Sequence, residues 1–359
     1  MFTIWGFKGD ALGFNCQYKS FDFLVFRLYL QTFLRKDVPT GLEGMPVFGD
    51  LGCRDAPFLY NNTVITTSAA VGAVHQDHQF ISRGHGVGTI TVADSEPGTK
   101  EIKYEITVRS NRRDLLDDVT FSYPLINDDG SVAKSRFVVE TSRRTGGKDK
   151  LCMKYDVKLF VPSNLRTLHI SPHTPVHVQF APGTGFKLDS LHVTAHSMNK
   201  INMILPNREL KAKKLSLEVY SGWIVGEVPI VEETSILSQQ GDGTVNVQVY
   251  PSTSSPNKAL LRTITGAGRS DFTYFATKGP KRQIQSTHLS SKNGDLYLNY
   301  HGAKFTGKIQ LESRAHTVTG ATSIPNTNVD DSGWTHYVGN PESRDEIYIN
   351  SRGWTGLYF

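Results

Sequence analysis

The sequence predicts an all-β protein whose larger part, residues 165–359, is a parallel β-solenoid of about six to seven turns. Three observations predict it. The first is a unit in which a short alternating run, a Ser/Gly-rich corner and a second alternating run recur: LSLEV at 215–219, YSGW at 220–223 and IVGEV at 224–228. THL at 287–289, SSKNGD at 290–295 and LYL at 296–298 follow the same plan, as do IYI, NSRGWTG and LYF at 347–359. The second is spacing: first runs begin at Leu168, Leu191, Leu215, Ile236, Leu261, Thr287 and Ile309, at intervals of about 21 to 27 residues, the length of a solenoid turn. The third is composition, with 38% hydrophobic residues and 32 glycines in 359 residues, typical of a β-rich chain with many tight corners. Alternation places Leu191 and Val193 on one face and His192 on the other. One turn cannot bury its apolar face alone; stacked turns make a continuous column. An antiparallel sandwich with regularly spaced strands has the same alternation and stands as the alternative architecture.

Taken in order, residues 1–83 read as an irregular leader. FDFLVFRLYLQTFL at 21–34 contains Asp22, Arg27 and Gln31 and is shorter than the roughly 20 apolar residues a membrane span needs. It lacks the basic lead of a signal peptide, so an amphipathic or packed helix is expected and no membrane span. Residues 36–49 are rich in Gly and Pro and read as loop. Residues 84–164 read as strands separated by turns such as EPG at 96–98 and DDG at 128–130. Their expected role is to cap the first turn, because an open strand edge recruits other chains. Residues 325–344 form a polar insertion. The chain then ends on a strand expected to be an exposed edge, with Trp354, Tyr358 and Phe359 beside it, suited to edge-strand self-association or to a partner. Aromatic plugs sealing the core are the other reading of those rings.

The net charge of +5, from 39 basic and 34 acidic residues, does not point to nucleic acid. The clusters at Arg112-Arg113, Arg143-Arg144 and 211–214 read as solvated surface. Cys16, Cys53 and Cys152 are few, scattered and odd in number, so buried or idle thiols are expected rather than a disulfide framework. The tripeptide of Asn61, Asn62 and Thr63 is a glycosylation acceptor if the chain is secreted.

Candidate chemistry is sparse. His75, Asp77 and His78, with His85 nearby, lack a third or fourth metal ligand at a recognised spacing, so exposed loop histidines are expected and no metal or cofactor is assigned. GHGVG at 84–88 precedes a strand rather than a helix and is no phosphate loop. No serine stands in a nucleophile-elbow pattern, and no catalytic residue is assigned. His169 and His192 share a register one turn apart, so their rings are expected to stack on the outer face, giving a pH-sensitive surface. Those two, Trp223 at a repeat corner, Trp354 and Tyr358 are the candidate binding residues. A polysaccharide lyase or hydrolase would instead use corner and strand carboxylates; Asp242, Asp271 and Asp295 are the candidates, although such residues are commonly turn formers.

The repeat, with FTGKIQLES at 305–313, a polar insertion and IYINSRG at 347–353, resembles the "putative adhesin" domain family of bacteria and fungi, and fungal members most. It covers residues 150–359 and extends less closely to 84. Two corners depart from the family's Ser-Asn-Gly pattern: Ser221-Gly222 is shortened, and Ala315, His316 and Thr317 replace it. The resemblance implies an all-β repeat module at the cell surface or outside the cell, attached to a protein or glycan partner. It supplies no catalytic or binding residues. The expected function is therefore non-enzymatic and structural or adhesive. A polysaccharide-acting enzyme and an intracellular binding scaffold are the alternatives.

Overall fold

Alternating sequence produces alternating burial in many of the strands: the run IQSTHLS at 284–290 buries every second residue, as does KLDSLHVTA over its last five positions. A computed structural model describes residues 40–132, 134–144, 151–238, 241–276, 279–325 and 333–359. Residues 44–359 form one unit and residues 1–43 another. Within the described part of the latter, the Thr40 amide donates to Glu43 Oε1 at 2.7 Å. The helix expected at 21–34 and Cys16 lie outside the described residues.

The fold is all-β, and its described strands join one hydrogen-bonded sheet. The first eight are β1 (Phe58–Leu59), β2 (Ile65–Ala70), β3 (Asp77–Arg83), β4 (Val87–Asp94), β5 (Glu101–Ser110), β6 (Thr120–Ser122), β7 (Arg136–Glu140) and β8 (Met153–Val161). Twelve follow in the repeat: β9 (Thr167–Pro172), β10 (Val176–Phe180), β11 (Lys187–Ala195), β12 (Met203–Leu205), β13 (Lys211–Val219), β14 (Trp223–Ile230), β15 (Glu233–Leu237), β16 (Thr244–Pro251), β17 (Ala259–Thr265), β18 (Ser270–Phe275), β19 (Ile284–Ser290) and β20 (Leu296–Gly302). The chain closes with β21 (Gly307–Thr319), β22 (Thr322–Ser323), β23 (His336–Val338) and β24 (Asp345–Tyr358).

Strands pair with the second strand along rather than the next. Through the repeat, β9, β11, β13, β15, β17 and β19 form one parallel ladder. The even-numbered strands β10 to β20 form another. Strands ahead of residue 165 enter the same ladders: β3 pairs in parallel with β9, and β4 with β10. Beyond β4 and its parallel partner β8 the pairing turns antiparallel, with β5 against β8 and β1 and β2 against β5. Strands β1, β2 and β3 thus occupy residues that read as leader, because their alternation is broken by polar residues on the buried side, as at His78.

In-register pairing lines up core positions from rung to rung. One inward column runs Ile170, Val193, Leu217, Ile236, Thr263, His288, Ile349 and Leu311. Where a polar residue enters a column it must find a partner inside the core. His288 meets Thr263 Oγ1 and the Tyr300 hydroxyl, each at 2.9 Å. His78, expected in an exposed loop, is instead buried in β3, bonded to the Ser135 and Tyr104 hydroxyls. Ser135 gives its own proton to the Ala70 carbonyl, so His78 donates through Nδ1 and accepts through Nε2.

The final strand corrects a second expectation. β24 is not an edge. Its first half lies between β19 and β21 and its second half between β20 and β21. Asp345, whose side chain is 4% exposed, fixes this insertion. One carboxylate oxygen accepts the Ile284 amide at 2.9 Å, and the other accepts the Thr306 amide at 3.0 Å and Lys281 Nζ at 2.7 Å. Gly307, with φ of 154°, lets β21 close on this strand, since a Cβ there would sit 2.0 Å from the Asp345 carbonyl oxygen. Outside it, β21 is paired with β23 over residues 307–309 and β23 with β22, while β21 residues 314–317 are exposed.

Two long-range ties hold the corners. Arg282 is 8% exposed and uses all five guanidinium donors on carbonyls. It reaches Ile230, Val231, Ser252, Asn257 and Lys258 at 2.7–3.2 Å, fastening corners of three successive repeats. Cys53 and Cys152 form a disulfide across 99 residues, so these two thiols are not idle; spacing along the chain gives no hint of a pairing made by the fold. Ahead of β1, Phe48 packs on the His177 ring, and the Gly49 amide donates to His177 Nδ1 at 2.8 Å. His177 is thereby covered.

Arg282→Ala would leave five carbonyls short of their donor. Its unfolding free energy is expected to fall by roughly 3 kcal/mol or more, measured by urea denaturation. Arg282→Lys should recover only part of this, having three donors and no planar fork. The two buried histidines set an acid limit. Burial brings His78 and His288 down to about 3, against 6.5 when unfolded, so below pH 6.5 the unfolded chain binds protons that the folded chain refuses. Stability should be full above pH 6.5 and fall by about 1.4 kcal/mol per pH unit per histidine as pH drops toward 3; denaturant midpoints at pH 7 and pH 4 measure it.

Candidate functional site

The outward residues of the two ladders offer different surfaces. On the odd ladder, register brings Gln79, His169, His192 and Ser216 into one row. His169 and His192 stack with ring centroids 4.6 Å apart and planes 5° apart. At the following corner His173 stacks on His196 at 4.5 Å and 9°, and Tyr220 meets His196 edge-on at 5.2 Å. All four histidines are held below their ordinary value, first by burial. His192 is lowered further by His169 and Lys214, His173 by Arg83 and His196 by His173, while Asp77 acts in the opposite sense on His169. His169, His192 and His196 are half-buried and His173 is exposed, and the lowered values favour uncharged rings at neutral pH.

The even ladder carries aromatic residues on its outer face. Alternation along β24 turns Trp354, Gly356 and Tyr358 outward and Thr355 and Leu357 inward. Register places Tyr297 of β20 beside Gly356 on one side and Thr317 of β21 on the other. Asn299 and Thr319 flank Tyr358 in the same way. The missing side chain at Gly356 has a consequence. A Cβ there would lie 2.4 Å from Trp354 Cη2 and 2.8 Å from the Tyr358 hydroxyl, so the two rings close over the glycine from either side. Trp354 also packs on Tyr297 at 4.9 Å. The Arg269 guanidinium lies 4.0 Å from the Tyr297 centroid, a cation–π contact worth roughly 1 kcal/mol. Arg269 grips Asp271 with two parallel bonds of 2.7 and 2.8 Å. On the two rungs before Tyr297, Phe275 of β18 and Tyr250 of β16 stack at 5.1 Å.

The five candidate binding residues therefore separate into three places. His169 and His192 meet on the odd ladder. Trp354 and Tyr358 meet on the even ladder, and Trp223 stands on that ladder four rungs away, about 19 Å at the usual strand spacing, with its Nε1 donating to the Lys200 carbonyl at 3.1 Å. Tyr297 and Arg269 escaped the sequence reading, although Arg269 and Asp271 share a face by their spacing of two. Only the rung-to-rung register shows that Tyr297 follows them.

The corner carboxylates lie apart in kind. Asp242 is exposed and pairs with Lys200 at 3.4 Å, Asp271 is bound to Arg269, and Asp295 is exposed at a corner. Among the described residues no group of three or more His, Cys, Asp or Glu side chains is placed to hold a metal ion. No helix among them is long and apolar enough to cross a membrane.

No protein-family model matches the sequence, and no curated protein matches it. Solved structures do. One is a "putative adhesin" from Bacteroides fragilis NCTC 9343, 10% identical, with a TM-score of 0.39 over 82% of this chain and 97% of that one. Another is a "putative cell adhesion protein" from Clostridium sporogenes ATCC 15579, also 10% identical, with a TM-score of 0.24 over 82% and 99%. A "putative adhesin" from Parabacteroides merdae ATCC 43184 is 15% identical, with a TM-score of 0.28 over 66% and 94%. All three are bacterial, and the expected closeness to fungal members finds no support among them. The TM-scores lie below 0.5, and the functional reading rests on this chain's own residues.

Gly356→Ala should leave the fold in place but push the Trp354 and Tyr358 rings apart. A shift in tryptophan emission, with an unchanged far-UV circular dichroism spectrum, is the expected outcome.

Proposed function

We propose that this chain is a non-enzymatic, adhesion-type protein. In this reading residues 165–359 are a β-solenoid of about six to seven turns, residues 84–164 cap its first turn, and the outer face of the even ladder meets a protein or glycan partner. The parallel pairing of every second strand supports the solenoid, and the antiparallel β5 and β2 beyond β8 support the cap.

The observation that carries the functional reading is the aromatic platform of Tyr297, Trp354 and Tyr358 over Gly356. Flat rings with polar tips, rimmed by Thr317, Thr319 and Asn299, give large contact area at low entropic cost, the pattern of a recognition surface. Reaction chemistry finds less support. Both carboxylate oxygens of Asp271 are already taken by Arg269, and Asp242 is held toward Lys200, so neither is poised as an acid or base against a sugar ring. An intracellular scaffold would use the same surface and differs in compartment. The stacked histidines are a second contact row, and the exposed margin of β21 is the place for self-association.

Screening the full chain against a glycan array and a panel of immobilised surface proteins tests the proposal. Trp354→Ala and Tyr358→Ala are each expected to weaken the binding found by about tenfold or more, with melting temperature unchanged. Binding that survives both substitutions, or release of reducing ends from a polysaccharide, would overturn it.

A further inference from the structure

We propose that Asn61 carries an N-linked glycan, added in the oxidising compartment where the Cys53–Cys152 disulfide forms. Two independent features point there. The first is the disulfide itself, which joins the segment ahead of β1 to the residue just before β8. Pairs of this structural kind persist in secretory and extracellular settings, while cytosolic thiols are kept reduced. Compartment, open on sequence alone, is thus constrained by the fold.

The second feature is the acceptor. The sequence holds one Asn-X-Ser/Thr tripeptide, that of Asn61, Asn62 and Thr63, and all three residues are exposed, as is Val64. Asn61 and Asn62 have φ values of 49° and 52°, so the chain turns sharply through the left-handed region between β1 and β2. Asparagine tolerates that region better than most residues. Among the described residues the Asn61 carboxamide makes no hydrogen bond, and the Thr63 hydroxyl has only a 3.3 Å bond to the adjacent Val64 carbonyl. Both strands flanking the turn pair on the same side of β5, and among the described residues no other strand pairs with β2. The turn therefore stands at the margin of the sheet, where a bulky, hydrated group meets no packed neighbour.

The chemistry needs two named co-reactants. The glycan donor is a polyprenyl-pyrophosphate-linked oligosaccharide. Asn61 Nδ2 forms a bond to its anomeric carbon, the carbon–oxygen bond to pyrophosphate breaks with its electron pair, and the amide loses one proton. For the disulfide, the two thiols give two electrons and two protons to an oxidised thiol–disulfide oxidoreductase.

The test is peptide mapping of the full chain purified from its own host, without reduction, before and after peptide-N-glycosidase in heavy-oxygen water. The expected result is a linked Cys53–Cys152 peptide, a gel shift on glycosidase treatment, and a heavy-oxygen aspartate at position 61. Thr63→Ala should abolish the shift and Asn62→Gln should keep it. An intact disulfide with unmodified Asn61 would overturn the glycan. Free thiols at Cys53 and Cys152 would overturn the compartment on which it depends.

Discussion

Parallel, in-register pairing of every second strand is the constraint on which the rest of this structure depends. Each rung sits directly on the one before, so a residue's neighbours are the same position one repeat earlier and one repeat later. This makes columns of Leu, Ile and Val in the core and rows of like residues outside. It also makes errors contagious: a residue of the wrong size or polarity disturbs two rungs at once. The stacked pairs His169–His192, His173–His196 and Tyr250–Phe275 are direct products of that geometry, because flat rings at the strand spacing lie face to face.

The same constraint explains how polar groups are admitted. Thr263 and His288 interrupt a column otherwise filled by Ile, Val and Leu, and His288 is tolerated because Thr263 on the preceding rung and Tyr300 from the other ladder take both ring nitrogens. Arg282 solves a different problem. Corners leave carbonyls that no strand can satisfy, and a single guanidinium reaching back across successive repeats satisfies five of them. Buried, and with no carboxylate partner among the described residues, it acts as a hydrogen-bond hub.

The two ends of the ladders are finished unequally. The early end is folded over by antiparallel strands and fastened by the disulfide. At the late end β24 is drawn inward by the Asp345 carboxylate, with β21 outside it and β23 paired only along the start of β21. That exchange of places brings Trp354 and Tyr358 off the margin and into a paired sheet, where Tyr297 and Thr317 support them on either side. An aromatic surface held between two neighbours is better ordered than one on a fraying edge, which suits recognition.

The sequence by itself determined the all-β class of the fold, the alternation of most of the longer strands from β9 to β20, and the shared register of His169 and His192. These are local or periodic properties, set by which residues face in and how often the pattern returns. Only the tertiary structure decided that β24 passes inside β21, that Cys53 meets Cys152, that His177 is covered from residues 48–49, that Arg282 reaches five carbonyls, and that Tyr297 joins Trp354 and Tyr358. Each of these pairs residues from different repeats or from outside the repeat. Periodicity says how one rung is built; which rungs become neighbours at the ends is fixed by long-range bonds, and those leave no mark on local spacing.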